Sequence, residues 1–394
     1  MSLDQFLHHL QFDTEKVRPP DWEVDWEDAP LPYKLYRDLP VFPFSPEVPL
    51  TLEACQVSSE PDFNGIGHFL WYVFGLTQVS QFMNDSEKGE YMQSLRRFAP
   101  SGGALYPNEL YIYLKIEGLP VGVYHYDVAH HRLALLREGN FDDYLDQALG
   151  SRCDMSACFG TVFVSTMFWK NFFKYHDFSY RLQGLDTGVL IGQLLEVAKR
   201  FGFSTGVAFQ FLDRAINHLI GLSEQEESTY AVLPLYAGPT HECTFVSGAN
   251  RTVTAIELCE ELPAITCTHY VRSKKIKEYP RLIQMNEASM IDSTRSFRTV
   301  MAKEATRKKG KETQLPPVER LSYDLAAVCR KRFSPEMDFA LGKVSKIQLA
   351  TLLQEATASY SYRNDLDGRQ EISNDLVTIY ALSLIHISEP TRPY

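Results

Sequence analysis

Apolar residues recur along much of this 394-residue chain in two alternating rhythms. A nearly continuous apolar run at 64–76 (NGIGHFLWYVFGL) predicts a buried helix. Short runs rich in Tyr, Ile and Val, bounded by Gly and Pro, predict strands at 109–116 (ELYIYLKI) and 121–127 (VGVYHYD). His131 to Leu136 reads as a third strand, and 160–168 (GTVFVSTMF) as a buried one. Residues 178–202 form a long helix whose Leu, Ile and Val positions cover more than one face, which predicts a central place. Strands at 205–211 and 229–235 follow, with a short helix from Arg214 to Leu219 between them. Strands and helices interleaved in this order predict an α+β fold, a mixed sheet flanked by helices.

The pattern changes outside this stretch. Residues 1–45 are rich in Pro, Asp, Glu and Trp, lack a helical period, and read as an extended arm wrapping a domain at 46–245. Residues 246–319 read as a basic linker with one helix around 284–306, its charge run being a solvated surface. Residues 320–384 read as a truncated second copy of the domain. NDLVTIY at 374–380 resembles NELYIYL at 108–114, and ATLLQEATASYS at 350–361 is weakly like GHFLWYVFGLTQ at 67–78. Residues 385–394 (IHISEPTRPY) follow no domain logic and read as a non-native tail.

Composition narrows the classes. The chain is 44% hydrophobic and 12% aromatic, which argues for a large core and against disorder. A net charge of -11 disfavours nucleic acid and anionic membranes as partners. Seven scattered cysteines form no CxxC pair, so reduced thiols and a cytoplasmic setting are expected, without a disulfide framework or zinc site. The first residues lack the apolar core of a signal peptide, and no apolar run approaches the ~20 residues of a membrane helix. The eleven histidines show no metal-ligand spacing, so no metal is expected. Asn64-Gly65-Ile66-Gly67 lacks a third glycine and is no dinucleotide fingerprint.

The most informative stretch runs from Arg96 to Pro107 (RRFAPSGGALYP). Two glycines after Pro-Ser let the backbone turn sharply and approach a ligand. Amide groups and Ser101 pointing outward together would suit an anion or an electron-rich ring edge; a plain turn before the strand at 109 is the alternative. The stretch resembles the RxxPSGGALYP motif of SagB/ThcOx-type dehydrogenases, the azoline oxidases of the nitroreductase superfamily. PYKLY, ELYIYLK, LPVGVYHYD, FWKNFFKYHDFSYRLQGLDTG and NHLIGLSEQEESTYAVLPL follow the same family pattern in order, from about residue 30 to 240.

That resemblance implies a nitroreductase-like fold with FMN at a dimer interface. Pro100, Ser101, Gly102 and Gly103 would lie against the flavin, with Arg97 a nearby cation or else a surface ion pair. Gly221 matches a position near the flavin, although a helix C-terminus explains that glycine equally well. Lys174 and Tyr175 match the pair these oxidases need for dehydrogenation. Phe172, Phe173, Phe178 and Tyr180 would desolvate the lysine, lowering its pKa towards that of a working base. Asp186, in YRxxxxDxG, would be paired by Arg181, since a lone carboxylate in a helix core is costly.

The chain also departs from the family. An Arg-Arg-Ser-x-Arg-like phosphate clamp is missing around 52–64 (LEACQVSSEPDFN). The second copy has Arg330, Arg332 and Ser334 in a similar segment, for which a solvated helix start is the alternative, but lacks Pro-Ser-Gly-Gly. Complementary decay of two copies would leave one composite FMN site in an intrachain pseudo-dimer, with an ordinary dimer as the alternative. The activity implied is oxidation of thiazoline or oxazoline rings in a modified precursor peptide, alongside a YcaO-type cyclodehydratase. The alternatives are an NAD(P)H-dependent nitro- or quinone-reductase and a degenerate, non-catalytic flavin-fold scaffold subunit.

Overall fold

A computed structural model describes residues 1–52, 61–83, 91–238, 245, 252–298, 313–333, 342–357 and 362–366. Helix α1 (Leu3–Phe12) opens the chain, where the sequence reading has an extended arm. Ser2 and Gln5 cap it reciprocally, and Phe6 and Leu10, one turn apart, are buried. The prolines that suggested extension begin only after it; a 3-10 turn (Thr14–Val17) follows α1, and from Arg18 the segment holds no helix up to β1 (Val41–Pro43).

Helix α2 (Phe63–Phe74) starts at Asp62, whose carboxylate accepts from Gly65 N at 2.6 Å. A hairpin of β2 (Leu76–Met83) and β3 (Tyr91–Arg97) comes next, which the sequence reading lacks. Its polar alternation (LTQVSQFM) carries too little hydrophobic signal to stand out. Strands β4 (Asn108–Leu114), β5 (Gly122–Asp127) and β6 (Arg132–Glu138) follow, then α3 (Asp142–Ala148) and β7 (Gly160–Met167). Helices α4 (Trp169–Tyr175) and α5 (Ser179–Arg200), strand β8 (Phe203–Thr205), α6 (Asp213–Ile220) and β9 (Glu227–Ala237) complete the layer. Beyond it lie α7 (Ala255–Glu261), α8 (Pro280–Ser289), α9 (Leu325–Lys331) and α10 (Lys346–Thr357).

The main sheet has seven strands in the order β1-β6-β5-β4-β7-β9-β8, paired antiparallel. Alternation along β4 divides two cores. Leu110, Ile112 and Leu114 pack with α2 and α5, whereas Tyr111 and Tyr113 pack with α3, α6 and α7. Burial on both faces explains the near-continuous apolar strands. The strand expected at 205–211 shrinks to the end of β8 and two isolated bridges, one of them Ala208–Val232. There Val207 forms a parallel bridge with Asn364, and Asp365 accepts from Phe209 N (2.8 Å) and Gln210 N (2.9 Å). The helix expected around 284–306 is α8, which starts earlier, at Pro280. The strand expected at 374–380 and the tail at 385–394 lie outside the described residues. No helix among the described residues is long and apolar enough to cross a membrane.

Candidate functional site

The loop between β3 and β4 is shaped by a carboxylate that reaches it from α5. Asp186 Oδ2 accepts from Ser101 Oγ at 2.7 Å, and Oδ1 accepts from Gly102 N at 3.0 Å. Ser101 Oγ in turn accepts from Tyr106 N at 2.9 Å, closing the loop on itself. Burial raises the Asp186 pKa, and the Ser101 and Gly102 hydrogen bonds oppose that rise. Arg181 is not its partner. The two residues are five apart on one helix, about 140° around the axis. Arg181 instead donates to Leu10 O at 2.7 Å, at the end of α1.

Gly103 sits in the left-handed region at φ +67°. A Cβ there would lie 2.7 Å from Tyr175 Oη and 3.0 Å from Lys174 Nζ. The loop backbone therefore rests directly on the Lys-Tyr pair of α4. Lys170, one turn earlier on the same face of α4, donates to Tyr106 O at 3.2 Å and holds the far end of the loop. Lys174 Nζ lies 5.1 Å from the Trp26 ring centroid and equally far from that of Tyr175. Its aromatic neighbours differ from those expected. Phe172 packs on Trp22 and His176, Phe173 on Trp26, and Tyr180 on Phe6. Phe172 and Phe173 lie on the buried side of α4, so the N-terminal segment supplies the lysine's indole instead.

Arg97 is fully enclosed. Its guanidinium lies 3.9 Å from the Phe74 ring centroid and 4.7 Å from that of Tyr106, and Nη2 donates to Pro32 O. Nε and Nη1 have no partner among the described residues. Burial lowers its pKa to about 10, with Glu109 opposing. Pro100 is half-buried beside Ser101. Gly221 is the left-handed C-cap of α6 at φ +80°, and a Cβ there would meet Ile265 Cγ1 at 2.7 Å. Its near neighbour is thus Ile265, and helix capping accounts for the residue.

Arg330 and Arg332 end α9, which leans on α5 through Cys329 Sγ, 3.7 Å from Gln193 Oε1. Arg330 Nη1 and Arg332 Nε are buried without a hydrogen-bond partner among the described residues. Ser334 lies outside the described residues.

A buried charge network behind the loop escaped the sequence reading. Glu109, at the start of β4, pairs with Lys170 and accepts from His125 Nε2 at 2.9 Å. Glu227, at the start of β9, pairs with Lys34 at 2.7 Å and accepts from Tyr111 Oη at 2.9 Å. Burial alone would raise the Glu109 pKa, but Lys170 and the His125 hydrogen bond hold it well below the usual carboxylate range. Burial lowers the Lys170 pKa against the pull of Glu109. At Lys34 the pull of Glu227 and Tyr36 overcomes the burial cost, and the pKa rises. The signal was legible in principle: a glutamate opening an otherwise apolar strand and a lysine inside an aromatic helix need each other.

Residues 76–234 match the family model described as Nitroreductase family. Trifolitoxin-processing protein TfxB of Rhizobium leguminosarum bv. trifolii is 29% identical over 155 residues, 38% of this chain. The match spans 42% of that relative's length. A putative nitroreductase from Anabaena variabilis is similar in structure, with a TM-score of 0.54 and 24% identity. That likeness covers 74% of this chain and 54% of the other. A chain of the E. coli microcin synthetase McbBCD complex with truncated pro-MccB17 bound is 19% identical at a TM-score of 0.37, covering 60% of this chain and 97% of that one. The α+β sheet flanked by helices is the nitroreductase-like fold, and residues 76–234 of this chain form a nitroreductase-family domain.

Proposed function

We propose that this protein is an FMN-dependent oxidoreductase that oxidises thiazoline or oxazoline rings in a modified peptide to the aromatic azoles. The observation that carries this reading is the approach of the Gly103 backbone to Tyr175 Oη and Lys174 Nζ. It joins a glycine loop open to a planar ligand with a candidate base of the right type. Likeness to a trifolitoxin-processing protein supports a peptide as the substrate.

The residues present fit FMN. Arg330 Nη1 and Arg332 Nε, donors without partners among the described residues, suit an anionic phosphate, and Ser334 would join them. Gly102 and Gly103 would present backbone to the ring, with Pro100 and Ser101 fixing the turn. Ser101 Oγ already donates to Asp186 and accepts from Tyr106 N, so its part is to build the loop. Arg97 supports the loop from beneath. Helix α5 is common to both groups: Asp186 pins the loop, and Gln193, two turns on, meets α9.

When bound, FMN supplies the acceptor for the hydride leaving the ring. Lys174 Nζ takes the ring Cα proton, and Tyr175 Oη steadies the lysine tip beside Gly103. Trp26 flanks the lysine tip on one side. The implied partners are a precursor peptide and a YcaO-type cyclodehydratase, with the flavin site shared within an intrachain pseudo-dimer or between two chains. Lys174→Ala should abolish azole formation while flavin absorbance stays with the protein. An active variant removes Lys174 from the mechanism, and bleaching of the flavin by NADH would favour a nitro- or quinone-reductase.

A further inference from the structure

A mostly apolar cleft, partly open to solvent, lies at the start of α4 and reaches Lys170. Its roof is two crossing chain segments, 30–34 and 269–276. They are tied by Arg37 N to Thr268 O (3.0 Å), Tyr270 N to Leu35 O (2.8 Å) and Ser273 Oγ to Asp28 O (2.7 Å). Trp169 Nε1 also donates to Ser273 Oγ at 2.9 Å, fastening the roof to α4. The walls are mostly apolar: Leu31, Met167, Trp169, Ile276 and Tyr279.

The charges around this cavity cancel. Lys170 is matched by Glu109 and Lys34 by Glu227. Arg272 and Glu226, of opposite sign, also line it. His269 is pushed down to about 4 by burial, helped by Lys34, and is neutral at physiological pH. An extra charge would enter without a partner and lose its hydration. Hydrogen-bonding capacity remains, however. An ammonium carries three N–H donors. Each lysine has two acceptors, Glu227 and Tyr111 for Lys34 and Tyr106 O and Glu109 for Lys170.

We propose that this cavity is a subsite for an uncharged aromatic or branched apolar residue of a peptide, with a carbonyl oxygen accepting the remaining N–H of Lys170. Only the word peptide rests on the function proposed above; the demand for an apolar, uncharged, carbonyl-bearing group comes from the cavity. The subsite lies one turn of α4 from Lys174, so it would grip the peptide close to the ring presented to that residue.

The test uses the full chain and needs neither FMN nor turnover. N-acetylphenylalaninamide is titrated while tryptophan emission and ligand-observed saturation-transfer NMR are recorded. N-acetylphenylalanine, the same body with a carboxylate, is titrated in parallel. The amide should bind with Kd on the order of 1 mM, as a fragment of this size can. The carboxylate should bind at least about tenfold more weakly. Ile276→Trp and, separately, Val271→Trp should fill the mouth; both residues are about half exposed, so the fold should tolerate the change. Each should weaken amide binding at least about tenfold without lowering Tm. No binding to the wild type at 20-fold that Kd (about 20 mM), equal binding of amide and carboxylate, or unchanged binding in both variants would overturn the proposal. Amide binding in a chain inactive towards azolines would keep the subsite and count against the oxidase reading alone.

Discussion

Replacing Gly103 by alanine tests whether the loop and the Lys-Tyr pair act as one unit. At φ +67° an alanine pays for the left-handed conformation, roughly 1–2 kcal/mol. The new Cβ would start 2.7 Å from Tyr175 Oη and must reach the 3.4 Å of ordinary contact. It would do so by pushing the tips of Tyr175 and Lys174 away, since both are ends of flexible side chains. The fold should therefore survive, with Tm lowered by about 2–8 °C for a domain of this size. Catalysis should suffer far more, because misplacing a reacting group by about 1 Å can cost on the order of 100-fold. Gly102→Ala is the internal comparison. Its Cβ would sit 3.7 Å from Asp186 Oδ1, and its φ is not positive. That variant should melt like the wild type. Scanning calorimetry and azole formation followed by mass spectrometry give the two readouts. If Gly103→Ala keeps wild-type turnover despite a lowered Tm, the contact with Lys174 and Tyr175 has no part in the chemistry.

Asp186→Asn should leave Tm within a few degrees, because the amide removes a costly buried charge. It should cut azole formation about tenfold by weakening the Ser101 hydrogen bond, worth roughly 1.5 kcal/mol; undiminished activity would show that the loop holds its shape alone. Asp213 accepts from Ile291 N at 2.7 Å and is pushed up to about 7, by burial first and then by Glu224 and Asp292. A folded value above the unfolded one means that the folded chain binds more protons between the two. Stability should therefore fall as pH rises from about 4 to about 7, by an amount on the order of 4 kcal/mol. Asp213→Asn should flatten that slope in denaturant titrations, and parallel slopes would refute the assignment. Alanine at both Arg330 and Arg332 should weaken FMN binding at least about 100-fold, since each charge-assisted hydrogen bond is worth roughly 1.5–3 kcal/mol. Unchanged flavin affinity in equilibrium dialysis would end the composite-site idea.

How much the sequence disclosed depended on whether the signal was local. Strands β4, β5 and β7 were legible because burial on both faces left apolar runs with Gly and Pro nearby, and helices α2, α5 and α6 because their apolar residues recur at helical spacing. The β2–β3 hairpin was not, because its polar alternation resembles a loop. Val207 to Phe211 had strand composition, yet its backbone is claimed by Asp365 and Val232, contacts made far along the chain. The loop motif named Ser101 to Gly103 but not the residue that shapes them. Asp186 is 85 residues from Ser101, and only the α5 packing shows that its carboxylate serves Ser101 and Gly102 rather than Arg181.

Lys170 and Lys174 show why residue type and helix position alone cannot assign a base. They lie one turn apart on the same face of α4, and both touch the Ser-Gly loop. Lys170 has its pKa lowered by burial, which by itself would favour it as the base. Yet its ammonium is bound to Tyr106 O and Glu109, so removing its proton would leave that carboxylate buried without its counter-ion. Lys174 carries no ion pair among the described residues, is only half-buried, and meets the Gly103 backbone and the Trp26 ring. A general base must first reach the proton it removes, and only then does its pKa matter. The same helix thus divides two tasks between two lysines: Lys170 fixes the loop by a charge it keeps, and Lys174 stands where a proton can be exchanged.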